Sequence, residues 1–185
     1  DPQGLLNAAI FFDLRPIHGN HAAALDLRAW LTAYAPDRGR FLLQLARNAL
    51  DNQPPLGLVR EFVLASGGEH PHTLDLKING VQPFVEAARI YALASGTTAI
   101  NTLERLGAAG AARAMPALEI DAWCEAFRFI QALRLRLNAA QSARGEALHN
   151  HLDPATLNDL ERRILREALR QARGLQSRLS RDFAV

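Results

Sequence analysis

The stretch WCEAFRFIQALRLRL, residues 123–137, decides the fold class, because large apolar residues recur in it every three or four positions. This spacing places them on one face of an α-helix. The stretch LNDLERRILREALRQARGLQSRL, residues 157–179, has the same period, and Asp153 before Pro154 is the predicted N-cap of its helix. Short connections between long helices favour antiparallel neighbours. We therefore predict an all-α protein built as an antiparallel helical bundle.

Start and stop signals elsewhere in the chain predict five shorter helices. Asn20 is the predicted N-cap of the first, which ends near Ala35 because Pro36 cannot continue it. The second begins near Asp37 and ends at Pro54-Pro55. The other three are predicted over residues 58–63, closed by Gly67-Gly68, from Gln82 to the stop at Gly96, and over residues 100–109.

Two segments depart from the helical pattern. Within residues 69–81, EHPHTLDLKINGV, apolar and polar side chains alternate from Leu74 to Ile78, and Asn-Gly precedes Val81. This pattern predicts a short extended loop or a hairpin. Residues 8–14, AAIFFDL, form a nearly unbroken apolar run that contains one carboxylate. A run this short is compatible with either a buried strand or a helix.

Composition excludes several classes of protein. The 185 residues are 49% hydrophobic, which suits one folded domain, or one domain with part of another. No apolar run is long enough for a transmembrane helix, and Asp1-Pro2-Gln3 does not begin a cationic signal peptide. The missing initiator Met predicts that the sequence is a piece of a longer protein. A single cysteine, Cys124, excludes an internal disulfide and points to the cytoplasm.

Charge and aromatic placement argue against nucleic acid as a partner. The formal net charge is only +2, from 21 basic and 19 acidic residues. The Phe, Trp and Tyr residues fall on predicted core stripes instead of alternating with Arg, so the sequence does not support a base-stacking platform. All but one of the basic residues are Arg. They are scattered among acids, so this bias is better explained by GC-rich codons than by anion binding.

Asp13, the histidines and Lys77 are the chemically suggestive residues. Asp13 is flanked by apolar residues, so it is expected to pair with a neighbour such as Arg15 or, less favoured, to join a metal-binding cluster. Lys77 is the sole Lys and lies beside Asp75, where it could close a turn as an ion pair or present a cation to a phosphate. The histidines form three close pairs in polar loops: His18 and His21, His70 and His72, and His149 and His151. Histidines in polar loops are expected to be solvated. The less favoured alternative is a metal enzyme that uses these pairs as ligands.

Six strings in order resemble a known family: AIFFDLRP at 9–16 with His18-Gly19, PLGL at 55–58, LDLK at 74–77 with Gly80 and Pro83, NTLERL at 101–106, FRF at 127–129, and LRLR at 133–136. The first resembles the last strand of a nucleotidyltransferase catalytic domain. The others resemble the helical substrate-binding domain of bacterial signal-transduction nucleotidyltransferases, which often carry CBS and cyclic-nucleotide-binding modules. These proteins are similar to the uridylyltransferases that modify the PII protein.

The resemblance implies a division into residues 1–19, a remnant of the catalytic domain, and residues 20–185, the helical substrate-binding domain. Asp13 matches the third carboxylate of a site for two divalent cations, Mg²⁺ in the full-length parent, where it would be catalytic and metal-binding. The Gly-Ser motif and the other two carboxylates of that site are absent from the sequence. We therefore expect no transferase activity and no cofactor in this chain alone, and expect residues 8–14 to turn helical or to pair with a second copy.

The resemblance also implies that the helical domain forms one wall of the cleft and recognises a nucleotide or a protein acceptor. The candidate substrate-binding cations are Arg15, Lys77, Arg105 and Arg128, although for each an intramolecular ion pair is the favoured alternative. A competing hypothesis is an interaction module, a homodimer that transmits signals from CBS or cyclic-nucleotide-binding domains. Runs of small residues, such as Ala22-Ala23-Ala24 and Ala108-Ala109, would permit close helix packing between chains.

Overall fold

A computed structural model describes Gly4 and residues 11–57 and 62–185 of the chain. These residues form six α-helices: α1 His21–Tyr34, α2 Gly39–Ala49, α3 Gln82–Ala94, α4 Thr102–Ala112, α5 Ala117–Ala143 and α6 Asp159–Phe183. Two short strands, β1 Leu74–Asp75 and β2 His151–Leu152, pair antiparallel with Leu74 opposite Leu152. The predicted all-α helical bundle is confirmed. None of the described helices combines the length and the apolar character that a membrane span requires.

Asparagine side chains cap two of the shorter helices. The Asn20 side chain accepts a hydrogen bond from the Ala23 N–H at 3.1 Å, which caps α1 as predicted. Helix α4 begins slightly later than predicted, because the Asn101 side chain caps it by accepting from the Leu103 N–H at 2.9 Å. In both helices one polar side chain satisfies donors that the first turn leaves without a partner.

The start of α6 corrects the sequence analysis. Asp153 caps a short 3₁₀ turn, Pro154–Thr156, instead of the long helix. The helix is capped by a reciprocal pair: the Asn158 side chain accepts from the Glu161 N–H at 2.9 Å, and Glu161 accepts from the Asn158 N–H at 3.3 Å. This capping box satisfies two donors at once, so the helix begins at Asp159.

The segment 69–81 also differs from its prediction. The extended part is confirmed, but β1 pairs with the distant strand β2 instead of turning back on itself. The Asn-Gly pair lies in a π-helical turn, Leu76–Val81, that leads into α3. A Cβ on Gly80 would lie 3.0 Å from Ile130 Cγ2, so close packing of this turn on α5 is the reason for the glycine.

Two other predictions fall partly outside the described residues. In the predicted helix over 58–63, residues 58–61 are outside, and Phe62 and Val63 have no helical structure. In the segment 8–14, residues 8–10 are outside. The Leu14 N–H donates to the Phe11 carbonyl at 3.3 Å, so the described part forms a turn.

The chain divides into two compact units. The first draws its residues from Asp1–Asp51, Val85–Ile120 and Leu179–Val185, and the second from Asn52–Phe84 and Asp121–Arg178. Fully or almost fully buried apolar side chains fill each unit. In the first they include Ala46, Ile90, Tyr91, Leu106 and Leu179, and in the second Leu76, Phe84, Ile130, Leu165, Leu169 and Leu175. The candidate sites are therefore described one unit at a time.

Candidate functional site

Asp13 lies between two guanidinium groups in the first unit. Its Oδ2 accepts a hydrogen bond from Arg89 Nη2 at 2.6 Å, and its Oδ1 lies 2.7 Å from Arg105 Nη1. The Arg105 side chain is only 5% exposed, against 38% for Asp13. The ion-pair interpretation of Asp13 therefore describes this structure, but the partners come from α3 and α4 instead of the neighbouring Arg15, which is exposed.

Arg105 is held in place by three acceptors from different parts of the first unit. Its Nε donates to the Ala99 carbonyl at 2.8 Å, and its Nη2 donates to the Phe12 carbonyl at 3.0 Å. A buried guanidinium is stable only when its donors and its charge are satisfied. Arg105 therefore ties the loop before α4 to the backbone and side chain of the Phe12-Asp13 turn. We call Asp13, Arg89 and Arg105 the Asp13 cluster.

The Asp13 cluster does not fit a divalent cation. Both carboxylate oxygens of Asp13 are engaged by guanidinium groups. Within the part of the chain that the structure describes, no group of three or more His, Cys, Asp or Glu side chains is arranged to hold a metal ion. The same finding speaks against the minor hypothesis of a metal enzyme built from the histidine pairs. The role of Asp13 as a metal ligand in a longer protein stays a prediction.

The second unit contains a groove of about 490 Å³ with both apolar and polar lining residues, which we call the polar groove after the latter. Its polar lining residues are Gln53, Thr73, Asp75, Asn79, His151 and Arg173. Arg173 Nη2 donates to the carbonyls of Pro54, at 3.1 Å, and Leu56, at 2.8 Å, so it fixes the irregular segment that forms one side. Asp75 Oδ2 lies 4.0 Å from His151 Nε2 on the paired strands. The groove thus presents donors and acceptors from four parts of the chain.

Lys77 follows strand β1, beside this groove. Its backbone N–H donates to Asp75 Oδ1 at 2.8 Å, as does the Ile78 N–H at 3.0 Å, so the carboxylate caps the π-helical turn. Among the described residues no ion pair joins the Lys77 ammonium to Asp75, and the Lys77 side chain is exposed. The turn is therefore closed by backbone donors, and the ammonium remains open to solvent.

Three histidines from two of the predicted pairs meet in the second unit. The ring centroid of His70 lies 4.3 Å from those of both His149 and His151, and the last two are 5.9 Å apart. His149 Nδ1 accepts from the His151 N–H at 3.2 Å, which requires that nitrogen to be unprotonated. We call these three residues the histidine cluster. His18, His21 and His72 are exposed.

The surroundings of His149 favour its neutral form. Burial lowers the pKa of His149 below its ordinary value of 6.5, and the charges of His70 and His151 lower the pKa further. Gln141 is only 1% exposed, and its side-chain oxygen accepts from the His149 N–H at 3.1 Å. Asn138 Nδ2 donates to the His149 carbonyl at 2.9 Å. Two amide side chains therefore hold the His149 backbone.

Of the predicted site residues, only Asp13 and Arg105 are brought together in the described structure. Arg128 pairs with Glu125 at 2.5 Å in an exposed pair one helical turn apart on α5. Sequence reasoning missed Arg89 and Arg173, whose partners lie 76 and 119 residues away. A single Arg within a helical pattern carries no sign of such a distant partner, because Arg is also a common solvent-exposed helix residue.

One comparison with known proteins gave a match. A family model described as "Putative nucleotidyltransferase substrate binding domain" matches residues 39–183. No curated protein and no solved structure matches the chain. The family match spans most of the chain and includes both Arg89 and Arg105, so the chain belongs to this family.

Proposed function

We propose that this substrate-binding domain forms one wall of the active-site cleft of a signal-transduction nucleotidyltransferase. In this proposal the domain binds substrate and positions a carboxylate, and the transfer chemistry requires groups beyond the described residues. Family membership supports the substrate-binding role. The Asp13 cluster supports the position at the cleft.

The arrangement of the Asp13 cluster relative to the family match is the observation that carries the proposal. Arg89 and Arg105 lie inside the matched range, residues 39–183, whereas Asp13 precedes it. Two cations of the helical domain therefore fix both oxygens of a carboxylate that the family's domain does not itself contain. Ion pairs to both oxygens restrict the orientation of a carboxylate more than a single contact does. Arg89 and Arg105 are thus positioning residues.

The polar groove supports the substrate-binding part of the proposal. Its volume of about 490 Å³ lies within the range of small-molecule sites. Asp75, Asn79 and His151 offer both donors and acceptors to a polar acceptor group. The exposed Lys77 adds a cation beside them. We assign the acceptor of the transfer reaction to this groove.

A steady-state assay of nucleotidyl transfer tests both parts, with the chain joined to its nucleotidyltransferase domain. Arg89→Gln and Arg105→Gln should lower kcat by about tenfold to a hundredfold, because small displacements of a positioned group have effects of this size. Arg89→Lys should retain more activity than Arg89→Gln. Lys77→Ala and Asn79→Ala should instead raise the acceptor KM and leave kcat nearly unchanged.

Arg170→Gln is the matched control, because Arg170 is exposed and pairs only with the neighbouring Glu167 in the described structure. Thermal unfolding of each variant separates a loss of fold from a loss of position. An unchanged kcat in folded Arg89→Gln and Arg105→Gln variants would refute the position at the cleft. Unchanged acceptor KM values would refute the groove.

An interaction module that transmits signals from CBS or cyclic-nucleotide-binding domains is the second candidate. It is favoured by an apolar groove of about 500 Å³ in the second unit, lined by Phe129 of α5 and Ile164 of α6 among others. Leu160, one turn before Ile164, is 66% exposed. Light scattering over a wide concentration range measures the oligomeric state and so tests this candidate. A dimer that Ile164→Glu dissociates supports this candidate, and a monomer throughout refutes it.

A further inference from the structure

The first unit contains an aromatic cavity of about 610 Å³ that neither the Asp13 cluster nor the polar groove uses. It is lined by Phe12, Trp30, Leu31, Tyr34, Ala35, Asp37, Arg38, Gly39, Arg40 and Phe41. Its volume is enough for a nucleotide-sized molecule. Its wall consists mainly of apolar and aromatic side chains, with charged residues on one segment, 37–40.

The aromatic residues of this cavity correct the sequence analysis. Trp30 and Tyr34 were predicted to lie on a core stripe, but they are 58% and 45% exposed. Their rings stack with centroids 5.1 Å apart and planes 17° from parallel. The Arg38 guanidinium lies 3.8 Å from the centroid of the Tyr34 ring. Trp30 and Tyr34 thus form a stack, and the Arg38 guanidinium also contacts the Tyr34 ring.

An exposed stack of this kind is costly unless something covers it. Large aromatic surface in water loses the free energy that burial would provide. The stack also restricts the rotamers of three long side chains. A flat ring placed on it would recover the aromatic contact without further ordering, because the platform is already assembled.

The charge around the cavity is matched to an anion. Arg38 and Arg40 are both exposed lining residues, and Asp37 is the only acidic residue in the lining. The first turn of α2, which also borders the cavity, carries no acidic side chain. A ligand that combines a flat ring with a phosphate group therefore complements both the stack and the basic segment.

We propose that the aromatic cavity binds a nucleoside triphosphate, with its base stacked on Trp30 and its phosphates near Arg38 and Arg40. The base is placed on Trp30 because the Tyr34 ring already contacts both Trp30 and Arg38. This inference rests on the proposed function, since it names the nucleotide as a second substrate with a site of its own. The stack reads only the flat face of a base, so it favours no particular base. Base selection would then come from other parts of the complete enzyme.

Titration calorimetry of the intact chain with ATP, GTP, CTP and UTP tests the proposal, with inorganic triphosphate as the base-free probe. Each nucleotide should bind more tightly than triphosphate. Trp30→Ala should weaken nucleotide binding about tenfold or more and leave triphosphate binding unchanged, because a stacked base contributes on this scale. Trp30→Tyr should restore most of the affinity. Arg40→Gln should weaken both kinds of probe.

Leu25→Ala is the matched control, because Leu25 is an α1 residue of similar exposure, 45%, that does not line the cavity. Circular dichroism confirms that each variant is folded. Fluorescence adds a direct readout, since bound nucleotide should quench exposed Trp30 more than Trp123, which is 3% exposed.

Three results would overturn the proposal: no binding of any nucleotide to the wild-type chain, equal affinity for nucleotides and triphosphate, or equal nucleotide affinity in wild type and Trp30→Ala. None of these results alters the expected kcat loss of the Arg89 and Arg105 variants. A failure of the nucleotide site and a failure of the proposed function are therefore distinguishable.

Discussion

The Asp13 cluster and the histidine cluster both gather side chains that are distant in the sequence, but they use opposite electrostatics. In the first, two permanently charged guanidinium groups hold one carboxylate. In the second, three rings lie within 5.9 Å of one another and depend on uncharged amide partners such as Gln141. The guanidinium groups of the first cluster keep their charge at any physiological pH. In the second cluster, burial and the charges of His70 and His151 lower the pKa of His149, so its charged form is disfavoured.

Removing the buried cation of the Asp13 cluster is expected to cause the largest loss of stability. Arg105→Ala leaves the Phe12 and Ala99 carbonyls without their donor and Asp13 with one cation instead of two. We expect a loss of about 2–3 kcal/mol in the free energy of unfolding, below the usual range for a fully buried pair because Asp13 is partly exposed. Urea denaturation measures it. A loss no larger than that of exposed Arg170→Ala would contradict the account of Arg105 as a structural tie.

The corresponding test of the histidine cluster removes an amide instead of a charge. Gln141→Ala leaves the His149 N–H without its acceptor and removes one of the two acceptors of Asn138 Nδ2. We expect a loss of about 1–3 kcal/mol, the cost of unsatisfied buried polar groups. The same denaturation measurement applies, with exposed Gln44→Ala on α2 as the control. Equal stability of the two variants would show that Gln141 does not hold the cluster.

Acidification should lower the stability of the protein through the histidine cluster. Because the pKa of His149 is lowered in the folded state, the unfolded chain binds more protons below about pH 6.5, so acid favours unfolding. We expect stability to fall from pH 6.5 downward, by at most about 1.4 kcal/mol per pH unit for one proton. His70 and His151 disfavour the charged form of His149, while Glu69 and Glu146 favour it.

Denaturation curves between pH 5 and pH 7.5 measure this effect. His149→Asn should flatten the pH dependence, because the group that titrates is gone. The exposed His21→Asn, which lies in the first unit, is the control and should leave the slope unchanged. A slope that survives in His149→Asn would assign the pH dependence to other groups.

The smallest effect is expected at a surface pair outside both clusters. Arg128→Ala removes an ion pair with Glu125 in which both side chains are more than half exposed. We expect a change below about 0.5 kcal/mol, because solvent screens such pairs. Thermal unfolding checks it. A near-zero change would also make this variant a clean test of the predicted substrate role of Arg128, since any loss of binding would not come from the fold.

The sequence was sufficient for features that depend on neighbours along the chain. The helical periods of α5 and α6 and the cap at Asn20 are local, and each was predicted. The start of α6 was missed because two local signals compete. Asp153-Pro154 is a valid cap, but the pair of Asn158 and Glu161 satisfies more donors.

Features that depend on tertiary contacts could not be predicted. Nothing near Asp13 indicates that Arg89, 76 residues later, is its partner. The pairing of β1 with β2 could not be predicted from the sequence either, because the Asn-Gly signal favours a local hairpin. The exposure of Trp30 follows from which face of α1 the rest of the unit covers, and the helical period alone does not determine that face.

The discontinuity of the first unit also affects the order in which a ribosome could complete the two units. The Tyr91 hydroxyl donates to Asp182 at 2.9 Å, and its ring lies 5.8 Å from that of Phe183, so the last turn of α6 closes the core around α3. Residues up to 51 of the first unit are synthesised before any residue of the second unit. The last residues of the first unit, 179–185, are synthesised after the second unit is complete at Arg178. The first unit is therefore begun first and completed last. Until residues 179–185 have been synthesised, the apolar surface around Tyr91 lacks the contact with Phe183.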